Sequence, residues 1–407
     1  MTAATGAPTS RLGAGVRAGL RRLGGGPGRV PGVDVARGIA VLGMFTAHVG
    51  VTTPDAGPAW WLLDLSHGHS SILFAVVAGI SVAIVTGGPR TLDGDPLRRA
   101  RLRLFVRAAM LLVVVALLDL LGTRVALILG FYACYFVLAL PFLRWRPPRL
   151  LALAGVVALV GPLLAYWGPE ALLRAGLRLP HDGSGAVTDF VLTGHYPAIV
   201  WMAYVLAGMA IGRCDLRSPR LRRGLLLGGL AAWGAFSFLS GWVVGAAGGE
   251  EVVLTSQVMA RQSVDTAPFG WGDPWPGVAG LFLDGPHDDT TIEVLASGGF
   301  AAAVVGLCLY VGRVGRWVLA PLAAVGSMAL TVYSLQIVAV WHWDLLGSTT
   351  NGPLLAMVLV TLATATAWRF LLGRGPLERL VGRVADRSAG TPPAAAPSSS
   401  PRTGPYQ

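Results

Sequence analysis

The sequence predicts an all-α protein, a polytopic bundle of about ten transmembrane helices with both termini cytoplasmic. Three observations predict it. The 407-residue chain is 54% hydrophobic and only 13% charged, with mean hydropathy +0.62, whereas soluble domains carry roughly 25% charged residues. Ten segments are apolar over the roughly 20 residues a spanning helix needs. The arginines, which supply all 32 basic residues, alternate between dense and sparse from one loop to the next.

The ten segments run at approximately 35–54, 70–88, 104–121, 124–142, 149–167, 195–213, 223–245, 292–312, 317–342 and 353–372. With the N-terminus inside, the inner stretches 1–33, 89–103, 143–149, 213–223, 313–316 and 369–407 hold 26 arginines. The outer stretches hold four, Arg124, Arg174, Arg178 and Arg261, and Arg37 and Arg107 lie within spans. Positive charge retained in cytoplasmic loops sets this orientation. Residues 1–30 are Gly/Arg-rich and lack an apolar core ending in a small-residue cleavage site, so they read as a flexible basic tail and not a cleaved signal. Residues 376–407 read as a second cytoplasmic tail, disordered from about 388, where "GTPPAAAPSSSPRTGPYQ" lacks the apolar content to fold.

Several functions are excluded. The net charge of +11 is confined to short loops between apolar runs, which speaks against a nucleic-acid partner. Cys134, Cys214 and Cys308 fall in segments placed in or beside the membrane and predict free thiols. Neither CxxC nor HExxH occurs, so no metal centre is expected.

The polar residues inside the apolar runs carry the functional reading, because ionisable groups in lipid normally face a bundle interior or a water-filled cavity. All seven histidines, His48, His67, His69, His181, His195, His287 and His342, fall in outer loops or the outer halves of spans. Histidine is the side chain suited to proton transfer near neutral pH, and this one-sided placement predicts a polar cavity open to the outside. In "VDVARGIAVLGMFTAHVG" (33–50), Arg37 and His48 are eleven helical steps apart. At about 100° and 1.5 Å per residue they share one face, roughly 16 Å apart along the axis. Asp34, one turn before Arg37, is placed to pair with it. Arg37 and Asp34 also suit a plain helix anchor at the headgroups.

Further polar groups need a reason. "PHDDTTIE" (286–293) sets His287, Thr290 and Glu293 about a turn apart, either facing a ligand or with Thr290 and Glu293 as a capping box. "GHYPAIVW" (194–201) puts His195 and Tyr196 at the outer end of a span, with Trp201 read as part of an interfacial aromatic belt. In "GSMALTVYSLQIV" (326–338), Ser327, Thr331, Ser334 and Gln336 read as hydrogen bonds between helices. Arg107 reads as a snorkelling residue or a second phosphate contact.

The Arg37–His48 spacing in the first span resembles the motif of the membrane acyltransferase-3 family. The wider pattern resembles the bacterial membrane proteins related to heparan-alpha-glucosaminide N-acetyltransferase. The matching pieces are "VDVARGIAVLGMFTAHV", "GHSSILFAVVAGISVAIVTGG" (68–88), "TGHYPAIVWMAYVLAGMAIGR" (193–213), "PHDDTTIEVLASGGFAAAVVGLCL" (286–309) and "GSMALTVYSLQIV". They are collinear and make residues 31–375 a transmembrane acyltransferase-like domain. The resemblance implies a multi-pass protein of the cell membrane. It would transfer an acyl, typically acetyl, group from cytoplasmic acyl-CoA to a sugar, glycolipid or amine acceptor on the other side. Acyl-CoA would be a co-substrate, with no permanently bound cofactor. Arg37, with Asp34 and Arg107, would hold the CoA phosphate end, as guanidinium suits phosphate geometry. His48 would act as general base or carry the acyl group. In the heparan enzyme a histidine in the loop before the second span is catalytic, within a motif this chain lacks. His67 and His69 occupy that loop, so the catalytic histidine is one of His48, His69 and His67. His195, Tyr196, His287, Thr290, Glu293 and Gln336 would face the acceptor. The alternative is a proton-coupled transporter or flippase using the histidines as a relay. Transporters often carry internal inverted repeats, and no repeat relates the two halves here.

Overall fold

The structure is a computed structural model that describes residues 11–25, 29–58, 60–177, 185–257, 275–311 and 315–390. His181, Arg178, Arg261 and the C-terminal stretch from 391 lie outside the described residues. Every regular element among the described residues is helical. In chain order the main helices are α1 (Arg11–Leu23), α2 (Pro31–Val49), α3 (His69–Val85), α4 (Gly94–Asp119), α5 (Ile128–Ala139), α6 (Pro147–Arg174) and α7 (Ala198–Gly212). They continue as α8 (Pro219–Ala246), α9 (Thr291–Cys308), α10 (Ala320–Ser327), α11 (Ala329–His342), α12 (Gly352–Leu371) and α13 (Pro376–Ser388).

Many of these helices begin with a proline in the first turn, at Pro31, Pro147, Pro219, Pro321, Pro353 and Pro376. There the missing N–H is one of the helix's orphan donors and the fixed φ is already helical. Each of the ten apolar segments is helical. Length and apolarity qualify α2, α6, α8, α9 and α12 outright as spans, and up to seven spans if two bent pairs count as one each. The others fall short for local reasons. α3 and α5 are short apolar helices, and α4 carries Arg98, Arg99, Arg101, Arg103 and Arg107 in its first half.

α2, α3, α7, α9 and α11 supply most of the buried residues, while α4, α6, α8 and α12 turn large apolar side chains outward, among them Phe105, Leu117, Leu159, Phe238, Trp242 and Val360. So much exposed hydrocarbon on outer helices suits a lipid surround and not water. At the centre, backbones touch. A Cβ on Gly38 would lie 2.1 Å from the Leu322 carbonyl oxygen, and one on Gly326 would lie 1.9 Å from that of Asp34. Small residues at such crossings replace the hydrophobic drive that lipid cannot supply.

One segment expected as a continuous helix, 317–342, is broken, and a helical stretch in the expected outer loop bends into another span. The chain turns by 62° between the helical stretch 186–193 and α7, and by 84° between α10 and α11. A break inside a bundle frees backbone groups that need partners, and the second break has them. Arg37 donates to the Gly326 carbonyl at 3.0 Å, and Arg369 donates to that of Ala323. On the other side of the break, Glu378 of α13 accepts from the Thr331 N–H at 3.1 Å and its hydroxyl at 2.6 Å.

The segment expected to be a flexible basic tail is helical over Arg11–Leu23. Arg22 donates to the Phe370 and Leu371 carbonyls, the last of α12, and Arg369 returns a bond to the Arg22 carbonyl at 3.0 Å. Its orphan carbonyls give the end of α12 a use for that arginine. Arg213 acts likewise at the end of α3, donating to Ala83 and Gly88 carbonyls at 2.8 and 2.9 Å and to the Thr86 hydroxyl at 2.8 Å.

Candidate functional site

A cavity of about 250 Å³ opens beside the C-terminal end of α2. Four histidines from four separate segments line it: His48, His67, His195 and His287, with Tyr196, Tyr333, Ser70, Ser71 and Arg124. Each arrives there for a local reason.

His48 sits in the last turn of α2, and its Nδ1 lies 2.6 Å from Gln336 Nε2 on α11. Arg37, toward the other end of α2, donates to Gly326 beside the break of the same bent pair, so both residues turn toward that pair as their spacing requires. His67 precedes Gly68, whose φ of +76° is a left-handed conformation suited to glycine. A Cβ at Gly68 would lie 2.8 Å from Pro286, so this turn brings His67 against the loop that carries His287.

His195 and Tyr196 occupy the non-helical stretch before α7, where the chain bends and Pro197 stands at the N-cap. The Tyr196 carbonyl accepts from the buried Tyr135 hydroxyl. His287 and Asp289 both have positive φ, 64° and 52°, which is uncommon for residues other than glycine. Glu293 holds that shape. Its two carboxyl oxygens accept from the backbone N–H groups of His287 at 3.1 Å and Asp289 at 2.6 Å. Thr290 caps α9 by accepting from the Glu293 N–H at 2.9 Å. The capping reading therefore accounts for both residues, in a version where the acid reaches past the cap to the strained loop. Neither lines the cavity.

The His287 ring packs 5.3 Å from that of His195 and stacks on Trp201 at 6.0 Å with planes 17° apart. Trp201 was expected in an interfacial belt. It is instead fully buried, and its Nε1 donates to Asp289 at 2.9 Å. Burial, with His195 and His67 adding to it, pushes the His287 imidazole down to about 4, so it is neutral at neutral pH. Burial raises Asp288 to about 6 and Asp289 to about 8.

The raised Asp289 has a consequence for stability. Between the ordinary carboxyl value of 3.8 and about 8, the folded chain keeps a proton that the unfolded chain has released. This group's stabilising contribution is full below the lower value and is lost as pH rises to the upper one. Asp289→Asn keeps an acceptor for Trp201 and removes the titration. It should gain on the wild type as pH rises from about 5 to about 8, by at most about 1.4 kcal/mol per pH unit. Paired melting curves in detergent check this, and a gap that stays constant with pH would mean Asp289 is ionised in the fold.

Of the other anticipated residues, His69 lies off the cavity, its ring 4.7 Å from Phe300 and 6.4 Å from Trp233. Asp34 and Arg37 stand at the far end of α2. Arg37 donates to Asp34 at 3.1 Å, to the Ser81 hydroxyl at 2.6 Å and to Gly326, while Asp34 also pairs with Arg29 at 2.9 Å. Arg107 lies on α4 among Arg103, Arg374 and Asp386. Glu378, which secures α11, was not anticipated. Its only signal is that it is one of two acids after Asp344.

The family model described as heparan-alpha-glucosaminide N-acetyltransferase, catalytic, matches residues 29–241, slightly more than half of the chain. The chain belongs to that family. It is a membrane protein with a catalytic domain of the membrane acetyltransferase type. A second model, for a protein of unknown function (DUF418), matches residues 288–387. No curated protein and no solved structure matches the chain. The acetyltransferase match contains His48, His67 and His195, whereas Tyr333 of the lining comes from the second matched region, as does Gln336, which reaches the site through His48 and does not itself line the cavity. The cavity is thus assembled across both.

Proposed function

We propose that this chain is an integral membrane acyltransferase. It moves an acyl group, in the first instance acetyl, from cytoplasmic acyl-CoA to an amine or hydroxyl acceptor on the extracytoplasmic side of the cell membrane. The observation that carries the reading is the gathering of four histidines around one cavity in a chain of the acetyltransferase family. Among the described residues no group of three or more His, Cys, Asp or Glu could hold a metal ion.

The chemistry follows from the residues. His48 takes the proton from the acceptor's amine or hydroxyl as that atom attacks the thioester carbonyl. The new C–N or C–O bond forms, the C–S bond breaks, and the CoA thiol leaves with a proton. Tyr196, His195 and His287 orient the acceptor, a sugar, glycolipid or small amine. About 250 Å³ is below the roughly 300–1,000 Å³ of a pocket for a drug-sized ligand. The cavity therefore suits the thioester and the reacting end of the acceptor, with the CoA nucleotide outside it. Arginines at the opposite side, Arg37 and the group around Arg107, are the proposed phosphate contacts.

Two bent helix pairs, one breaking at the cavity and one at the Arg37 end of α2, also suit a transporter, so the test must separate the two. The purified protein in detergent, given labelled acetyl-CoA and envelope extract, should release CoA and label an acceptor, with no release when the extract is omitted. Accumulation of substrate in proteoliposomes without any CoA release would replace this reading with proton-coupled transport.

A further inference from the structure

We infer that Gln336 is a positioning residue that decides which ring nitrogen His48 presents to the cavity. The inference rests on the reading of His48 as general base. Gln336 is 2% exposed, and its side-chain amide meets His48 at Nδ1, leaving the imidazole Nε2 for the cavity. An imidazole acts as a base through a nitrogen without a proton, so the tautomer matters. If the amide donates to Nδ1, the ring proton sits on Nε2 and the cavity receives a donor. If the amide oxygen accepts from Nδ1–H, Nε2 carries the lone pair and the ring is competent.

A base acting through Nε2 needs the second state, and the first leaves the Gln336 amide only partly satisfied. With Nε2 of the amide toward His48, its Oε1 is buried and has no hydrogen-bond partner among the described residues. Its nitrogen finds only a long second contact, 3.5 Å to the Met44 carbonyl. Buried acceptors are seldom left unmade. A half-turn of the amide gives Oε1 the Nδ1–H as donor, and that bond persists when His48 becomes imidazolium during transfer. The bent helix pair sets the position. Gly38 and Gly326 let α2 and the bend touch, and Glu378 secures the start of α11, which carries Gln336 two turns further on.

Partners that fix a histidine's tautomer are worth roughly 10–100-fold in metal sites, and an effect of that order is expected here. Gln336→Leu should lower kcat while leaving KM for both substrates within about twofold. Gln336→Glu keeps only the acceptor role and favours imidazolium, so activity should persist with the rising limb of the pH–rate profile moved to higher pH. Histidine ¹⁵N spectra in micelles provide a readout independent of turnover, with His48 assigned by its loss in His48→Ala. The wild type should show Nδ1–H, and Gln336→Leu should lose that preference. Wild-type kcat and pH profile in Gln336→Leu, with His48→Ala inactive, would overturn the inference and leave the base reading intact. An active His48→Ala would remove the base reading. The ¹⁵N spectra alone then decide, and the same tautomer in wild type and Gln336→Leu would overturn the role of Gln336.

Discussion

His48→Ala is expected to lower the transfer rate by about 10²–10⁴-fold, the usual contribution of a positioned general base, while acyl-CoA binding stays nearly intact. The basis is geometric. His48 lines the cavity, stands at the opposite end of α2 from Arg37, and is held by Gln336. His48→Gln retains hydrogen bonding but cannot take a proton, so it should be almost as damaged. In the wild type the rate should rise with pH through the histidine's apparent value, since only the neutral ring accepts a proton. The measurement is single-turnover transfer from labelled acetyl-CoA, alongside donor binding. His67→Ala is the informative companion, because His67 lines the same cavity from the loop before α3. Loss in His67→Ala with full activity in His48→Ala would assign the chemistry to the loop histidine and leave His48 as part of the wall.

Much of this arrangement is legible in the residues. The apolar runs and the prolines that open them indicate where helices lie, and in the unbroken helix Pro31–Val49 the eleven-residue spacing sets Arg37 and His48 on one face. The histidine placement suggests a shared cavity, and the structure lines one with His48, His67, His195 and His287 while leaving His69 and His342 off it. The bends are less legible. Nothing between Ala320 and His342 after Pro321 forbids a continuous helix. The break there depends on Arg37, Arg369 and Glu378, partners remote in sequence that no local pattern reveals. His67 and His69 look alike as letters. The left-handed turn at Gly68 and its contact with Pro286 separate them, sending one to the cavity and the other against Phe300. Trp201 fits an aromatic belt by composition, and only its bond to Asp289, 88 residues away, explains its burial. Arg22 and Arg213 are counted by topology as generic loop charges, yet each closes the end of a particular helix.

The second large effect expected is on Arg37. Its terminal nitrogens serve Asp34, Ser81 and the freed carbonyl of Gly326, so it braces the bend whatever else it does. Arg37→Ala leaves that carbonyl without its donor and strips one cation from Asp34. Removing one member of a buried pair typically costs about 3–5 kcal/mol. The lower end is expected here, because Arg29 remains 2.9 Å from Asp34 and Arg369 lies 4.0 Å away. Arg37→Lys restores charge beside Asp34 but not the fork that reaches three acceptors, so it should recover only part of the loss. Melting in detergent measures this arm, and a wild-type melting temperature in Arg37→Ala would refute the brace. Donor affinity measures the other role. If Arg37 also meets the CoA phosphates, the folded fraction of Arg37→Ala should bind acyl-CoA more weakly than that of Arg37→Lys, since a point charge still attracts phosphate. Unchanged affinity in both variants would confine Arg37 to the bend, and the phosphate contacts would then fall to the arginines around Arg107. Any loss of transfer in Arg37→Ala would in that case follow from a displaced α11, whose Gln336 meets His48 at the other end of the same helix face.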